Sequence, residues 1–393
     1  MKRWMVLLFV VALALPVVAQ EDEAGGAEAK GSAVDTTGKG YTAAYVIEPK
    51  SKRVLFAENE NVMLPTASMA KMMTLLITLE EIRDGRLKWE DKVLISPRAA
   101  QMGGSQVYLR AGDQWPVKNL VIATMVQSAN DGATALAEKI AGSTESFADM
   151  MNQRCQELGC KNSQFYDPHG LPNTQNPKQI NMQSAHDLAL VGMELMKYPF
   201  MRQLAVIAEM PFRNGTLEKI YNPNHLINPR KQNYYDAATG LKTGYSGPAG
   251  YCITASAKRG DMELVAVVMG AKPSKGPLSS FGISARLFSE AFANYRTVTP
   301  VKKGQAIGSA TVSKGAAGTV PAVAAQDVSV LVKRGEDKNI KVSFQGGAVA
   351  APVNAGQTVG AIVVQNGSEV LARVPAIAGN AVGKQPWYKS FLP

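Results

Sequence analysis

The segment of residues 67–82 carries apolar side chains on every face of a helix. Its members include Met69, Met72, Met73, Leu75, Leu76, Ile77 and Leu79. A helix that is hydrophobic all round is buried in the core of a large domain. The segment therefore predicts a helix that is buried on several faces. It also predicts that Ser68 and Lys71 lie one turn apart within that core.

The patterns on either side of this helix indicate an antiparallel sheet flanked by helices. A strand, a turn and a second strand are predicted over residues 43–56. We expect further helices over residues 117–140, 143–158, 184–196 and 283–295, and paired strands over residues 241–258 and 262–270. This order of a strand pair, a helical middle, strands and a closing helix is typical of an α+β (α/β) domain.

The length of 393 residues exceeds what one small core needs, so a second domain is expected. From residue 299 the composition changes to Val, Ala, Gly and Lys with short alternating runs. Asn366-Gly367 between two such runs is a strong hairpin signal. We predict a larger domain over residues 40–298, a small all-β domain over residues 299–377 and a short tail over residues 378–393.

The first residues predict export from the cytoplasm. Lys2 and Arg3 precede an apolar run that ends in Val17-Val18-Ala19, so we read residues 1–19 as a signal peptide cleaved after Ala19. The alternative of an uncleaved anchor is disfavoured, because the run is short and Pro16 interrupts it. Residues 20–39 lack large apolar side chains and predict a flexible lead-in. A periplasmic or other extracytoplasmic location is expected.

The net charge of +10 suits an anionic cell wall or membrane surface at that location. The basic residues are scattered, and no zinc finger or aromatic-basic module is present, so nucleic-acid binding is not expected. The tail combines Trp387, Tyr388 and Phe391 with Lys384 and Lys389. This composition predicts, at most, a peripheral contact with a membrane surface.

Three cysteines are too few for a disulfide framework, and their odd number leaves at least one thiol free. Cys155 and Cys160 can form a bridge only if the helix predicted over residues 143–158 breaks near Gly159. Free buried thiols are the expected state of all three, including Cys252.

A serine hydroxyl is a poor nucleophile at neutral pH and needs an adjacent base. None of the three histidines, His169, His186 and His225, accompanies a Gly-x-Ser-x-Gly motif, which disfavours a Ser-His-Asp mechanism. Ser68-Met-Ala-Lys71 supplies lysine at a spacing of three, which occurs once in this chain. Burial in an apolar helix disfavours the ammonium form of Lys71, as a general base requires.

Two later motifs make this assignment specific. Ser128-Ala-Asn130 and Lys242-Thr-Gly244 also occur once each. With Ser68 and Lys71 they make up, in order, the three active-site elements of the penicillin-binding and β-lactamase superfamily.

The chemistry of these residue types suggests their roles. Ser68 attacks a carbonyl, Lys71 takes its proton, and Ser128 relays that proton to the leaving amine. Asn130 binds the substrate amide, and Lys242 and Thr243 bind its carboxylate. Gly244 leaves the strand surface clear for a peptide, and the N–H groups of Ser68 and Tyr245 form the oxyanion hole if strand and helix meet as in the superfamily.

Segments around the motifs extend the similarity: Pro65-Thr-Ala-Ser-Met-Ala-Lys-Met-Met-Thr74, Gln127-Ser-Ala-Asn-Asp131, Pro168-His-Gly-Leu171, Gly240-Leu-Lys-Thr-Gly-Tyr245 and Ala249-Gly-Tyr-Cys252. In these segments the chain resembles low-molecular-mass penicillin-binding proteins, the D-alanyl-D-alanine carboxypeptidases of the penicillin-binding protein 5 type (serine peptidase family S11). The similarity is close over residues 41–300. The β-rich remainder fits the second domain of that family more loosely.

The resemblance implies a β-lactamase/transpeptidase-like catalytic domain and an acyl-enzyme on Ser68. It implies peptidoglycan stem peptides ending in D-Ala-D-Ala as substrates, β-lactam antibiotics as covalent inhibitors, and neither a metal nor an organic cofactor. Some family members place arginines where this chain has Pro223 and Pro277, and a histidine where it has Tyr245. Carboxylate binding then falls chiefly to Lys242 and Thr243, with Lys275 as a candidate substitute for the arginines.

Two alternatives remain at the level of sequence. A serine β-lactamase shares the acylation residues, and residues 218–222 loosely resemble its Glu-x-x-Leu-Asn segment. That segment lies far beyond Ser128, in the wrong place for a deacylating carboxylate, and a second β domain is foreign to β-lactamases. A catalytically silent wall-binding protein on the same fold is disfavoured because every reactive residue is present.

Overall fold

The computed structural model describes residues 39–213, 217–274, 276 and 279–386. The predicted signal peptide over residues 1–19 lies outside the described residues, as do residues 20–38 of the predicted lead-in and residues 387–393 of the predicted tail. Lys275 and Pro277 also lie outside them.

Strands dominate both ends of the described chain. In chain order they are β1 (Ala43–Glu48), β2 (Arg53–Glu58), β3 (Leu64–Pro65), β4 (Lys92–Leu94), β5 (Gln114–Pro116), β6 (Ser163–Gln164), β7 (Met182–Gln183), β8 (Glu209–Pro211), β9 (Lys219–Tyr221), β10 (Ala238–Ser246), β11 (Gly250–Arg259), β12 (Met262–Ala271), β13 (Tyr295–Val301), β14 (Ala306–Ser313), β15 (Thr319–Ala324), β16 (Val328–Lys333), β17 (Ile340–Gln345), β18 (Ala348–Ala350), β19 (Thr358–Asn366) and β20 (Glu369–Ala378).

Helices fill the middle of the chain and close the first sheet. They are α1 (Lys71–Arg83), α2 (Pro97–Ala100), α3 (Val117–Ile122), α4 (Asn130–Ala141), α5 (Thr144–Glu157), α6 (Ala185–Leu195), α7 (Pro199–Ala205) and α8 (Ser280–Asn294). A 3₁₀ turn, Ala67–Ala70, leads into α1, and a π-helical turn, Ala123–Gln127, follows α3.

The part of the chain before β13 is organised around an antiparallel sheet with the strand order β10-β11-β12-β1-β2. Tyr45 and Ile47 of β1 pack into the core that contains α1 and α6, whereas Ala44 and Val46 pack on the opposite face, in the core that contains α8. Because successive side chains of a strand point to opposite faces, both faces of β1 are covered. The predicted antiparallel sheet flanked by helices is confirmed, and β10 lies at one of its edges.

The helix predicted from its all-round apolar pattern is confirmed as a buried one. Residues 71–80 of α1 are all buried. The helix begins as the 3₁₀ turn and becomes α-helical at Lys71, so Ser68 and Lys71 belong to two consecutive elements. Thr74 Oγ1 donates a hydrogen bond to the carbonyl oxygen of Pro168 at 2.6 Å, which fixes α1 against the segment that follows β6.

The single helix predicted over residues 117–140 is wrong. After α3 and the π-helical turn, Ser128 adopts a left-handed conformation with φ +62°, and α4 begins only at Asn130. A residue in this conformation cannot continue a right-handed helix. The break places Ser128 in a junction between helices.

The expectation of three free thiols is also wrong. Cys155 and Cys160 form a disulfide, with Cα atoms 5.2 Å apart. Helix α5 ends at Glu157, and Gly159 has φ +86°, so the chain turns back between the two cysteines as their pairing requires. Cys252 is free and buried, and burial raises the pKa of its thiol to about 12.

The C-terminal region is all-β, as predicted. It contains a six-stranded sheet in the order β17-β19-β20-β15-β14-β18 and the pair β13-β16. The predicted hairpin is confirmed, with Asn366 of β19 opposite Glu369 of β20. The predicted boundary between residues 298 and 299 falls inside β13. The predicted tail begins within β20, and Val382 is buried in the core of this region. The division into domains stays a prediction.

The burial of α1 predicts how the domain responds to truncation of its side chains. Leu76 is fully buried and Leu94 on β4 is 65% exposed. We expect Leu76→Ala to lower the free energy of unfolding by about 2–5 kcal/mol, because it leaves a cavity. Leu94→Ala, the same substitution at the surface, should change it by no more than about 0.5 kcal/mol. Urea unfolding followed by circular dichroism measures both, and equal losses would contradict the central position of α1.

Candidate active site

Ser68 and Lys71 form the centre of the site. Lys71 Nζ lies 2.8 Å from Ser68 Oγ and donates a hydrogen bond to the carbonyl oxygen of His169 at 2.7 Å. Lys71 is completely buried, and Ser68 is partly accessible. The arrangement joins a partly accessible hydroxyl to an amine held inside the core, which is the geometry of a nucleophile and its base.

The backbone before Ser68 is held in an unusual conformation. Ala67 has φ +45°, in the left-handed region that residues other than glycine rarely adopt. Gly170 packs directly on it: a Cβ at Gly170 would lie 1.9 Å from the carbonyl oxygen of Ala67. Only glycine fits there, so the segment around Gly170 supports the turn that carries Ser68.

Strand β10 approaches the same turn from the sheet. A Cβ at Gly244 would lie 2.8 Å from the carbonyl oxygen of Thr66 and 3.2 Å from the main-chain nitrogen of Ser68. We expected Gly244 to clear the strand for a bound peptide. The structure gives this glycine a different contact, since its missing side chain lets β10 pack on the 3₁₀ turn.

Burial sets the protonation of Lys71. It holds the pKa of this amine well below its ordinary value, and the nearby charge of Lys242 lowers the pKa further. Asp167 and Asp131 act in the opposite direction. The neutral amine, which can accept a proton, is therefore favoured.

Lys242 is the second buried amine of the site. It is 1% exposed, and its Nζ donates to the carbonyl oxygen of Thr243 at 3.0 Å. Burial lowers its pKa to about 7. An anionic ligand beside this amine would favour its protonated form.

Ser128 and Asn130 lie at the junction that interrupts the predicted helix. Ser128 is buried at the left-handed position. The main-chain nitrogen of Asn130 donates to the Ser105 carbonyl oxygen at 2.7 Å, and its Nδ2 donates to the Gly103 carbonyl oxygen at 2.7 Å. Its buried Oδ1 accepts no hydrogen bond from any described residue, and is therefore a candidate acceptor for a ligand N–H.

Asp131 fixes the loop that surrounds Asn130. Its buried carboxylate accepts hydrogen bonds from the main-chain nitrogens of Val107, Leu109 and Gly132. Burial raises the pKa of this carboxyl, although the backbone donors oppose the rise. Asp131 ends the Gln127-Ser-Ala-Asn-Asp131 segment noted in the sequence, and the structure shows that its carboxylate holds the loop that contains Val107 and Leu109.

Thr243 and Tyr245 alternate with the inward-facing Lys242 and Gly244 along β10. Thr243 is partly accessible, and Tyr245 is 61% exposed, with its ring centroid 4.5 Å from that of Tyr251. Because β10 is an edge strand, its outer main-chain groups are available to pair with an extended peptide.

The structure brings some of the predicted site residues into direct contact. Ser68, Lys71 and Gly244 meet at the 3₁₀ turn, and Lys242 is near enough to influence the charge of Lys71. Among the described residues, no hydrogen bond joins Ser128, Asn130, Thr243 or Tyr245 to Ser68 or Lys71. Pro223, one of the two prolines in place of arginine, is exposed.

Sequence reasoning missed the roles of two residues near the site, Asp167 and Asn181. His169 had been noted in the Pro168-His-Gly-Leu171 segment, but its contact with Lys71 uses the main-chain oxygen, which no side-chain pattern reveals. Asp167 precedes that segment, and Asn181 lies further along the chain. Only the fold brings them together.

The described residues contain neither a candidate metal site nor a candidate membrane-spanning helix. No group of three or more His, Cys, Asp or Glu side chains there is arranged to hold a metal ion. The helices of the described ranges also lack the combination of length and hydropathy that a membrane-spanning segment needs.

Two family models match the chain. The model for D-alanyl-D-alanine carboxypeptidase covers residues 34–273, and that for the penicillin-binding protein 5 C-terminal domain covers residues 295–384. The chain is 36% identical to D-alanyl-D-alanine carboxypeptidase DacF of Bacillus subtilis, over 85% of this chain and 84% of that protein. It is 34% identical to DacC of Escherichia coli, over 83% of this chain and 80% of that protein.

Solved structures agree with these matches. Penicillin-binding protein 5 of Haemophilus influenzae superposes with a TM-score of 0.71 at 27% identity, over 88% of this chain and 98% of that chain. Penicillin-binding protein 6B of Escherichia coli gives a TM-score of 0.66 at 26% identity, over 86% and 95%. From the family models and the relatives above 30% identity, we conclude that this chain belongs to the D-alanyl-D-alanine carboxypeptidase family, peptidase family S11.

Proposed function

We propose that this protein is a penicillin-binding serine carboxypeptidase that removes the terminal D-alanine from peptidoglycan stem peptides through an acyl-enzyme on Ser68. The observation that carries the proposal is the hydrogen bond of 2.8 Å between Lys71 Nζ and Ser68 Oγ, made by an amine whose pKa burial holds low. Family membership supports the same reaction, since the relatives are named D-alanyl-D-alanine carboxypeptidases.

The proposed reaction uses the residues of the three motifs. Ser68 Oγ attacks the carbonyl carbon of the penultimate D-alanine while Lys71 accepts the hydroxyl proton. The proton passes through Ser128 to the leaving amine, the peptide bond breaks, and D-alanine departs. Water then attacks the ester and restores the Ser68 hydroxyl. The main-chain nitrogens of Ser68 and Tyr245 are proposed to stabilise the oxyanion in both steps.

Recognition of the substrate is assigned to β10 and α4. The stem peptide is proposed to lie along the open edge of β10, with its terminal carboxylate at Lys242 and Thr243. Asn130 Oδ1, the buried acceptor without a partner among the described residues, is proposed to accept an N–H of the peptide. A β-lactam would take the same place and acylate Ser68. Two solved structures similar in fold contain ampicillin or cefotaxime bound to penicillin-binding protein D2 of Listeria monocytogenes.

We propose an extracytoplasmic location, in the periplasm or on the outer face of the cytoplasmic membrane. The cell-wall substrate and the sequence of residues 1–19 support export. The aromatic residues after Pro386 support a peripheral membrane contact, while Val382 packs inside the β-rich domain.

Loss of the nucleophile and loss of the base should have different effects. Ser68→Ala should abolish covalent labelling by a fluorescent penicillin and release of D-alanine from a peptide ending in D-Ala-D-Ala. Lys71→Ala should slow labelling by roughly 10²–10⁴-fold, because the hydroxyl loses its base. Ser313→Ala, an exposed serine of the second domain, is the matched control and should label normally.

Labelling of Ser68→Ala at wild-type stoichiometry would refute the nucleophile assignment. A long-lived adduct on the wild-type chain fits a carboxypeptidase, whereas rapid turnover of penicillin would favour the serine β-lactamase alternative. If penicillin labels the chain but the chain releases no D-alanine from the peptide, the proposed D-Ala-D-Ala substrate is contradicted.

The two buried lysines predict a bell-shaped dependence of kcat/KM on pH. Activity should fall at acid pH as Lys71 gains a proton, and at alkaline pH as Lys242, with its pKa of about 7, loses one. Lys242→Arg should move the alkaline limb to higher pH, because a guanidinium stays protonated. The position of the limb is the readout, whatever the absolute rate. If the alkaline limb does not move, a group other than Lys242 causes the loss of activity at high pH.

Cell fractionation tests the proposed location. Intact mass should place the mature N-terminus at Gln20, and the mature chain should be found outside the cytoplasm and partly with the membrane. Deletion of residues 387–393, which leaves Val382 in its core, should release the membrane-associated fraction. A cytoplasmic chain that retains residues 1–19 would contradict export, and an unchanged membrane fraction would contradict the role of the tail.

A further inference from the structure

We propose that Asp167 and Asn181 form a clamp that positions Lys71 for proton transfer, by holding the main-chain segment whose carbonyl oxygen binds the lysine amine. The inference rests on the proposed function, because it assigns a role in the step that Lys71 performs. Neither residue belongs to the three motifs.

Asn181 holds the beginning of this segment. It is fully buried, and its Oδ1 accepts hydrogen bonds from the main-chain nitrogens of Tyr166 at 2.7 Å and Asp167 at 3.2 Å. Its Nδ2 donates to the main-chain oxygen of Asp167 at 2.9 Å and to Oδ1 of the same residue at 3.3 Å. The whole amide is therefore used to fix the main chain and the side chain of Asp167.

Asp167 in turn binds the main chain of the rest of the segment. Its Oδ1 accepts hydrogen bonds from the main-chain nitrogens of His169 at 2.8 Å and Gly170 at 2.5 Å. A carboxylate that accepts two consecutive N–H groups fixes the orientation of the peptide units between them. The carbonyl of His169 shares a peptide unit with the Gly170 N–H group that Asp167 binds. Its oxygen is thereby oriented toward Lys71 Nζ, 2.7 Å away.

The same clamp reaches the nucleophile side of the site. The main-chain oxygen of Asn181 accepts hydrogen bonds from the main-chain nitrogen of Thr66 at 3.1 Å and from Thr66 Oγ1 at 3.4 Å. Gly170 packs on Ala67, the residue before Ser68. The clamp therefore touches both the turn that carries Ser68 and the amine that activates it, and it fixes their relative position.

The charge of Asp167 adds an electrostatic effect to this geometry. Burial favours protonation of its carboxyl, but the charge and hydrogen bond of His169 and the backbone donors hold its pKa below the ordinary value. The carboxylate then raises the pKa of Lys71, against the effect of burial. Removing the charge without removing the acceptor should consequently make Lys71 easier to deprotonate.

Asn152 of α5 is a matched control, because it bonds to Phe165, the residue just before Tyr166. Asn152 Oδ1 accepts a hydrogen bond from the main-chain nitrogen of Phe165 at 2.8 Å, and its Nδ2 donates to the oxygen of the same residue at 2.9 Å. Asn152 thus makes the same kind of bonds as Asn181 to the same stretch of chain. It makes none of its described hydrogen bonds to residues 166–170, so its loss measures the structural effect alone.

The test compares four variants of the full chain, Asn181→Ala, Asp167→Ala, Asp167→Asn and Asn152→Ala. Stopped-flow acylation by a fluorescent penicillin gives the limiting rate and the non-covalent Kd, and thermal unfolding gives the folded fraction. We expect Asn181→Ala and Asp167→Ala to lower the limiting rate roughly tenfold to a hundredfold with Kd little changed, because a small misplacement of the base is costly. Asn152→Ala should acylate at the wild-type rate even where its melting temperature falls.

Asp167→Asn separates geometry from charge. Its Oδ1 can still accept the two backbone hydrogen bonds, so most of the limiting rate should be retained. The acidic limb of the acylation profile should move to lower pH, because neutral Lys71 persists there. This variant also keeps the proposal testable if an alanine variant fails to fold.

Two results would overturn the clamp: wild-type limiting rates in folded Asn181→Ala and Asp167→Ala, or an equal loss in Asn152→Ala. An acidic limb that does not move in Asp167→Asn would overturn the electrostatic effect assigned to Asp167. A wild-type chain that penicillin does not acylate would instead refute the proposed function. Normal acylation of the wild type alongside unaffected variants would refute the clamp alone.

Discussion

The complete burial of the Lys71 amine is the constraint on which the site depends. Removing a charged amine from water is costly without a paired anion, and the partners that bond directly to this amine are a hydroxyl and a carbonyl oxygen. The neutral form is favoured, so a group that is normally a surface cation can accept a proton, as the role proposed for Lys71 requires. That state requires the core around α1 to stay closed and Gly170 and Gly244 to let neighbouring backbone approach the 3₁₀ turn.

Backbone strain is present at each of the three motifs. Ala67 before Ser68, Ser128 itself and Leu241 before Lys242 all have positive φ, at +45°, +62° and +82°. Such conformations are unfavourable for residues with a side chain and persist where the surrounding structure enforces them. The helices and the sheet supply that enforcement, so stability contributed by the core is used to hold three short segments in otherwise unfavourable conformations.

Sequence alone was sufficient to predict the buried helix that follows Ser68, the antiparallel sheet, the all-β C-terminal region and the proximity of Ser68 to Lys71. These features depend on local periodicity and spacing. The break at Ser128 was missed because a left-handed serine leaves no mark in the hydrophobic pattern. The Cys155–Cys160 bridge was missed because it depends on where α5 ends. The hydrogen bonds of Asp167 and Asn181 to main-chain groups could not be predicted either. Every residue has such groups, and only the tertiary structure determines which of them lie next to these two side chains.

Strand β10 must keep its outer edge open if a peptide is to pair there. An unpaired strand edge is also a template on which another protein chain can add, and many proteins cover or shorten such edges to prevent aggregation. Here the 3₁₀ turn packs against the strand at Gly244, while Tyr245 projects into solvent. Access for the proposed peptide substrate and resistance to self-association are therefore in opposition along this edge, because the main-chain groups that would pair with a peptide can also pair with a strand of another protein molecule.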